Sequence, residues 1–332
     1  MHTRQFGATD LQVSEVGFGA WGIGGPAMAG NIPIGWGKVS DAVSRKALHT
    51  AFEQGVNFYD TADFYGLGHS EELLGEAFGN SDKVIIASKV GHRLREDGSI
   101  FVDYSSDYIR TACEASLKRL RRECIDYYQL HTAKVADLEA SDCVEALEAL
   151  KSAGKIRYWG VSLSTYNPFP EADYLLAHRL GSGFQLVFNL INQRALPIIR
   201  RAQEEGFGVI ARMPLQFGLL TGKLTVESRF PEDDHRHFRL TPPILEASLK
   251  ALEPVWPLRE QYGMSATELS LSFILSVAGV STVIPGIKTP AQAIANTRGL
   301  MRLEEADVQS LLNLYEQSFA GLVDKMAKAE GA

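Results

Sequence analysis

Residues 84–131 read VIIASKVGHRLREDGSIFVDYSSDYIRTACEASLKRLRRECIDYYQLH, and this stretch contains the repeating plan of the chain. The run Val84–Lys89 is short, apolar and β-branched, which reads as a buried strand. Ser106–Leu120 brings Ile109, Ala112, Cys113, Ser116 and Leu120 back at helical spacing, so one stripe of a helix faces a core. Ile125–His131 is a second strand. Two strands joined through a covering helix form a right-handed parallel crossover.

The same alternation extends in both directions. Val16–Ala20, Val56–Asp60, Tyr158–Ser162, Phe184–Val187, Gly208–Ala211 and Thr282–Pro285 read as further strands, with helical stretches between them. Eight such units close into a (β/α)8 TIM barrel of the α/β class. No linker divides the chain, so residues 1–332 are expected to form a single domain. Gly22–Ser40, Arg93–Ser105 and Pro214–Pro243 concentrate glycine, proline and polar residues and read as long loops. In a barrel such loops gather at the C-terminal face, where active sites lie. From Glu304 onward the chain reads as a closing helix.

Composition removes several classes of function. The chain has 332 residues, 45% hydrophobic and 22% charged, with a net charge of -7. That balance excludes an electrostatic footprint for nucleic acid or anionic membrane. Lys118, Arg119, Arg121 and Arg122 form the one compact basic run. They fall at the expected C-terminus of a helix, where positive charge meets the dipole, and read as a solvated face. Three cysteines, Cys113, Cys124 and Cys143, are too few for a disulfide framework or a zinc site, which fits a reducing cytoplasm. No apolar signal core follows Met1, and no apolar run approaches the roughly 18 residues needed to cross a bilayer. Oligomeric state is not legible.

Gly17, Gly19 and Gly22 spell G-x-G-x-x-G, with Asp41 at the position a dinucleotide fingerprint requires. The fingerprint needs a helix opening at its third glycine. Gly24, Gly25, Pro26, Gly30, Pro33, Gly35 and Gly37 forbid one before about Asp41, so a Rossmann fold is rejected. The glycines still mark a tight turn or a close approach to a ligand.

Four residues carry the chemistry. Asp60 ends the second strand and Tyr65 follows it, Lys89 ends the third, and His131 ends the fourth. Taken singly, Asp60 is a turn cap, Tyr65 a rim residue and His131 a hydrogen-bonded core histidine. A lysine directly after an apolar strand must reach solvent or find an anion. Taken together, they converge on one spot at the barrel mouth. This set suits carbonyl reduction, in which hydride arrives at carbon while oxygen takes a proton. Tyr65 would supply the proton and Lys89 would make the phenol a better acid. Asp60 would pair the lysine, and a neutral His131 would hydrogen-bond the carbonyl oxygen.

From Arg4 to about Leu300 the chain resembles the aldo-keto reductase family. The resemblance rests on Gly55–Tyr65, Ser70-Glu71, Lys89 and His131 in order and spacing. It implies Asp60, Tyr65, Lys89 and His131 as catalytic residues, a barrel, and an N-terminal hairpin over Arg4–Val13 closing the barrel bottom. It also implies a nicotinamide cofactor lying extended across the mouth, with ligands spread over several strand ends. Gly19, Trp21 and Asp60 belong to that set. Ser162 and Gln185 resemble the positions that bind the carboxamide, although Leu163 stands where the family usually has Asn. Pro214, Leu215, Gly218 and Lys223 resemble a pyrophosphate-covering loop, with Arg229 beyond it. Arg212 occupies a place where many members stack an aromatic ring, and its guanidinium plane could stack instead.

Gly286, Lys288, Gln292 and Asn296 resemble the adenosine end, with Ala295 where relatives often have Glu. Thr289, Pro290 and Gln292 also read as an N-cap, first helical residue and capping box, and a helix N-terminus is itself an anion site. Lys288 on a 2'-phosphate implies NADP(H), because one charge-assisted hydrogen bond gives a preference of about 10 to 150-fold. Trp21, Trp36, Phe64, His92 and Phe217 are expected to line the substrate pocket for a small carbonyl or alcohol.

Other readings are weaker. Asp233, Asp234, His235, Arg236 and His237 lack ligand spacing, so no metal is expected, and the run reads as a flap over substrate. A Schiff-base aldolase using Lys89 is opposed by Asp60, which would keep the lysine protonated. A cofactor-binding regulatory subunit, as in the potassium-channel β subunits that resemble the same family, is opposed by the complete set of four.

Overall fold

The computed structural model describes residues 1–30, 32–35, 37, 39–140, 142–232 and 234–330. Eight parallel strands form its centre: β1 Phe18–Gly19, β2 Phe58–Asp60, β3 Ile85–Val90, β4 Ile125–His131, β5 Ile156–Ser162, β6 Gly183–Val187, β7 Gly208–Arg212 and β8 Thr282–Ile284. They neighbour one another in chain order. Bridges from Val16 to Val283 and from Gly19 to Gly286 bring the first strand back to the last. The result is a nearly closed (β/α)8 barrel, and every expected strand is present within a residue or two of its expected ends.

Eight helices cover the strands: α1 Asp41–Glu53, α2 His69–Ala77, α3 Ser106–Leu120, α4 Cys143–Ser152, α5 Phe169–His178, α6 Leu196–Glu204, α7 Ala266–Ser276 and α8 Pro290–Thr297. In α3 the buried stripe contains Ile109, Ala112, Cys113, Ser116 and Leu120, as its periodicity demanded, and Leu117 beside them. After Glu304 the chain forms two helices, Glu305–Leu314 and Ala320–Ala329, joined by a π-helical turn. The second packs on an additional helix, Pro242–Leu252.

The alternation of side chains across each strand divides the core in two. Tyr128 and Leu130 face outward into the large core between sheet and helices, whereas Tyr127 belongs to a smaller cluster inside the barrel. An antiparallel hairpin, Thr3–Gln5 with Gln12–Ser14, supplies Phe6, Leu11 and Val13 to that inner cluster. Phe6 is fully buried, its ring 4.9 Å from Tyr127. Gly183 and Gly208 leave room for it, because a Cβ at either would lie 2.7 Å or less from its ring. The plug therefore fills the bottom of the barrel.

The long connections are more regular than their composition suggests. Ala20–Gly24 forms a 3-10 helix, since such a turn needs few i to i+3 bonds and tolerates the glycines that prohibit an α-helix. Met28–Ala29 pairs with Ile32–Pro33, and His92–Leu94 with Ile100–Val102, giving two small hairpins at the mouth. A 3-10 stretch, Gln216–Thr221, and a short helix, Arg236–Arg239, interrupt the third loop. The basic run is not merely solvated. Arg119 Nε donates to Glu71 at 2.7 Å, and Arg122 pairs with Asp126 at 3.3 Å. Close packing of α2 on α3 forces the first contact: a Cβ at Gly75 would lie 2.1 Å from the Arg119 carbonyl. Among the described residues, no helix is long and apolar enough to cross a membrane.

Candidate active site

Three neighbouring strands deliver the polar cluster. Asp60 is the last residue of β2, Lys89 lies near the end of β3, and His131 ends β4. Tyr65 opens a short turn after β2 that is held by positive φ at Gly66 and Leu67. Backbone strain collects at this face. Of the seven non-glycine residues with positive φ among those described, Leu67, Thr132, Met213, Gln216 and Phe217 all follow the ends of β2, β4 or β7. Thr132 is β-branched and held at φ 70° immediately after His131, with its hydroxyl donating 2.6 Å to the His131 carbonyl.

Lys89 is the centre of the arrangement. Its side chain is fully buried, and its ammonium donates to Asp60 Oδ1 at 2.6 Å, to the Thr61 carbonyl at 2.9 Å and to Tyr65 Oη at 3.2 Å. All three ammonium donors are thereby used. Burial would discharge the lysine, but Asp60 and Tyr65 outweigh it and hold the group above its ordinary value. Asp60 in turn accepts from Gln185 at 2.6 Å and Gln129 at 3.2 Å through Oδ2. The carboxylate is thus saturated by one cation and two amides, the condition under which a buried pair holds.

His131 takes the opposite charge state. Its Nδ1 is buried and lacks a hydrogen-bond partner, and its ring stacks on His92 with centroids 4.2 Å apart. Burial, with the neighbouring His92, Lys89 and Arg212, holds it well below the usual histidine range. Burial and Lys89 likewise push His92 down to about 4. Both imidazoles are neutral at physiological pH. His92 also hydrogen-bonds Thr132 Oγ1 at 3.0 Å and meets Phe64 edge-on.

Of the residues expected to line a substrate pocket, Trp21 faces the Tyr65 ring, and Phe64 meets His92, which stacks on His131. Trp21 lies 6.2 Å from Tyr65 and 5.0 Å from His235, which is itself 5.1 Å from Phe217. Trp36 and Asp233 lie outside the described residues. His235 is buried in this aromatic stack, and burial together with Arg239 pushes it down to about 3. Asp234 is engaged by Arg236, and His237 hydrogen-bonds the Phe230 carbonyl, so the run 234–237 is spent on local structure.

A model of the aldo/keto reductase family matches residues 15–316. The chain belongs to the aldo/keto reductase family. It is an oxidoreductase of the kind that uses a nicotinamide cofactor. It is 33% identical to an uncharacterized oxidoreductase, YqkF, of Bacillus subtilis, over 94% of this chain and 95% of that one. Among solved structures, the glycerol dehydrogenase AKR11B4 of Gluconobacter oxydans matches with a TM-score of 0.81 at 28% identity, covering 95% of each chain. The holo form of the aldo-keto reductase AKR11C1 of Bacillus halodurans matches with a TM-score of 0.75 at 27% identity, over 95% of this chain and 96% of that one.

The remaining expected positions of the reductase are distributed around the mouth. Ser162 is buried at the end of β5, and its hydroxyl donates to Gln185 Oε1 at 3.4 Å. Gln185 is committed to Asp60 by its amide, which ties the β6 position directly to the charged centre. Arg212 ends β7 and donates to the Leu163 carbonyl at 3.1 Å and Thr165 Oγ1 at 3.0 Å. Pro214 is buried and Leu215 half-buried, whereas Lys223 and Arg229 are exposed, Arg229 being bonded to the Val226 and Ser228 carbonyls. Lys288 lies across Gly22, where a Cβ would come within 2.6 Å of its stem. That contact, together with the barrel seam at Gly19, accounts for the glycine pattern: a Cβ at Gly19 would meet the Pro285 carbonyl at 2.9 Å.

Gln292 accepts from the backbone of Lys288 and Thr289, completing the capping box of α8, so its oxygen is used locally. Asn296 is buried one turn further along. Gly218 and Gly286 have open space where a side chain would project. These bare backbones, the buried unpartnered Nε of Arg212 and the helix N-terminus beside Lys288 fit an extended dinucleotide.

Sequence reasoning missed Gln129, Ser88, Glu71 and Arg119 as supports. Gln129 lies two residues before His131 and so shares its inward face, a period-two signal that was available. Glu71 is fully buried, accepts from Ser88 and pairs with Arg119, bracing β3 directly behind Lys89. No local pattern announces that contact, because its three members lie on different elements.

Proposed function

We propose that this reductase interconverts a small aldehyde or ketone and its alcohol using NADP(H), with Tyr65 transferring the proton at oxygen. The observation that carries the reading is the saturated ammonium of Lys89, 3.2 Å from the Tyr65 hydroxyl and 2.6 Å from Asp60. A fixed, desolvated cation at that oxygen stabilises negative charge as the proton leaves. Asp60 keeps the cation in place, and Gln129 and Gln185 keep Asp60 in place. Neutral His131 orients the substrate oxygen by hydrogen bonding without competing for the proton. Bound nicotinamide supplies or accepts the hydride.

Ser162 and Gln185 hold the carboxamide end, and Gly19 and Trp21 border it. Pro214, Leu215, Gly218, Lys223 and Arg229 cover the pyrophosphate. Gly286, Lys288, Gln292 and Asn296 take the adenosine end, with Lys288 on the 2'-phosphate favouring NADPH over NADH by about 10 to 150-fold. Trp21, Phe64, His92 and Phe217 shape the substrate wall. A lysine held protonated by Asp60 also supports this reading over Schiff-base chemistry, which needs a free amine.

The test is NADPH and NADH consumption against a panel of small aldehydes and ketones, for the protein and for Tyr65→Phe. Turnover preferring NADPH and falling by at least about a hundredfold in the variant is expected. Full activity in Tyr65→Phe would remove Tyr65 from the reaction, and failure to bind either nucleotide would remove the cofactor reading.

A further inference from the structure

Arg212 carries more than a structural hydrogen bond. Its side chain starts at the end of β7, and its guanidinium reaches the Leu163 carbonyl and Thr165 Oγ1 beyond the end of β5. Because β6 lies between those strands, the guanidinium passes over the C-terminal end of β6. Gln185, in register with Ser162, lies near that end. A ring held by Ser162 and Gln185, as proposed above, would lie against the guanidinium.

Among the described residues the charge there has no counter-ion. Arg212 forms no ion pair among the described residues, its bonds go to a carbonyl, a hydroxyl and the Met213 sulfur, and its Nε is buried without a partner. Among the described residues, Asp60 and Glu330 are the acids that act on Arg212, but Lys89 and the two glutamine amides occupy the first, and Arg239 and Tyr166 occupy the second. Arginine remains charged at physiological pH. An uncompensated, partly desolvated cation at contact distance repels a second cation strongly.

We propose that Arg212 makes this site discriminate between the redox forms of its dinucleotide, holding the neutral reduced ring more tightly than the cationic oxidised ring. The proposal rests on the cofactor reading above and adds a direction to it. A site that retains the reduced form and expels the oxidised form stays loaded for carbonyl reduction. The reverse reaction is then limited by weak capture of the oxidised form.

Equilibrium titration of the whole protein with NADPH and, separately, NADP+ tests this without turnover. For the wild type, NADPH is expected to bind at least about tenfold more tightly than NADP+. Arg212→Lys, which keeps the charge, retains a preference in the same direction. Arg212→Gln brings the ratio close to one by tightening NADP+, while NADPH affinity changes by less than about threefold. A thermal melt of each variant confirms folding, and Arg212→Met serves as a second neutral variant.

An Arg212→Gln or Arg212→Met ratio equal to that of the wild type would overturn the proposal, as would equal affinities in the wild type. Either result leaves the cofactor reading standing. Binding of neither form by the wild type would overturn both.

Discussion

Asp60→Asn isolates the energetics of the charged centre. The substitution preserves size but removes the countercharge 2.6 Å from an ammonium that has no exposed surface. Breaking a buried pair from one side costs about 3 to 5 kcal/mol, because the remaining ion is left uncompensated. The new amide also presents donors toward Gln129 and Gln185, whose own donors now point at Asp60. For 332 residues at roughly 2.1 cal/mol/K each, the unfolding entropy is about 0.7 kcal/mol/K, so the melting temperature should fall by roughly 4 to 7 °C.

The pH dependence makes the cause identifiable. In the wild type, Lys89 is held above its ordinary value, so its contribution is fully present below the unfolded lysine value of about 10.4 and is lost only at higher pH. Between pH 7 and 9.5 this contribution is constant. In Asp60→Asn the largest charge opposing burial is gone and only Tyr65 remains against it, so Lys89 is lowered, the folded state sheds a proton that the unfolded state keeps, and stability rises with pH. The deficit against wild type should therefore shrink from pH 7 to 9.5, read by thermal melts in matched buffers. A loss under about 1 °C, or one independent of pH over that range, would refute the pairing as the source of stability.

Two further perturbations probe other levels of the fold. Burial holds His92 near 4, His235 near 3 and His131 well below its ordinary value, so each contributes stability that is lost as pH falls below about 6.5, by about 1.4 kcal/mol per pH unit. Asp63, pushed up to about 8 by burial and by Glu71, acts with the opposite sign over the same range. Urea denaturation between pH 6 and 4.5 should show stability declining, and His92→Asn should roughly halve the slope; an unchanged slope would contradict the buried-neutral assignment. Phe6→Ala should cost about 3 to 5 kcal/mol in urea unfolding, because Gly183 and Gly208 offer no side chain to fill the void. NADPH affinity should stay within a factor of about three, since the plug and the mouth lie at opposite ends of the barrel; a large change would contradict that separation.

How far the sequence could be read depends on how far apart the interacting residues lie. Each strand with its helix is a local pattern, so periodicity located all eight strands and the ends of α3. The C-terminal ends of β2, β3 and β4 are also local features, and a parallel barrel brings successive ends together without further information. Asp60, Lys89 and His131 were therefore legible as a convergent group before any contact was known. The glycines near the start of the chain were legible as close approaches, but not as approaches to Pro285 and to the Lys288 side chain, which lie some 265 residues away.

By itself the sequence determined the alternation, the inward positions at the strand ends and the kinds of side chain placed there, because each follows from spacing along one segment. Tertiary structure alone decided the partners. It spent Gln185 and Gln129 on Asp60 rather than leaving both amides free, committed Gln292 to a capping box, and turned Arg119 from a solvated charge into the counter-ion of buried Glu71. It also carried the Arg212 guanidinium over β6 with no carboxylate to meet it among the described residues. Such partnerships join strands and helices remote in sequence, and they are settled by which buried donors and charges must be satisfied once the barrel has closed.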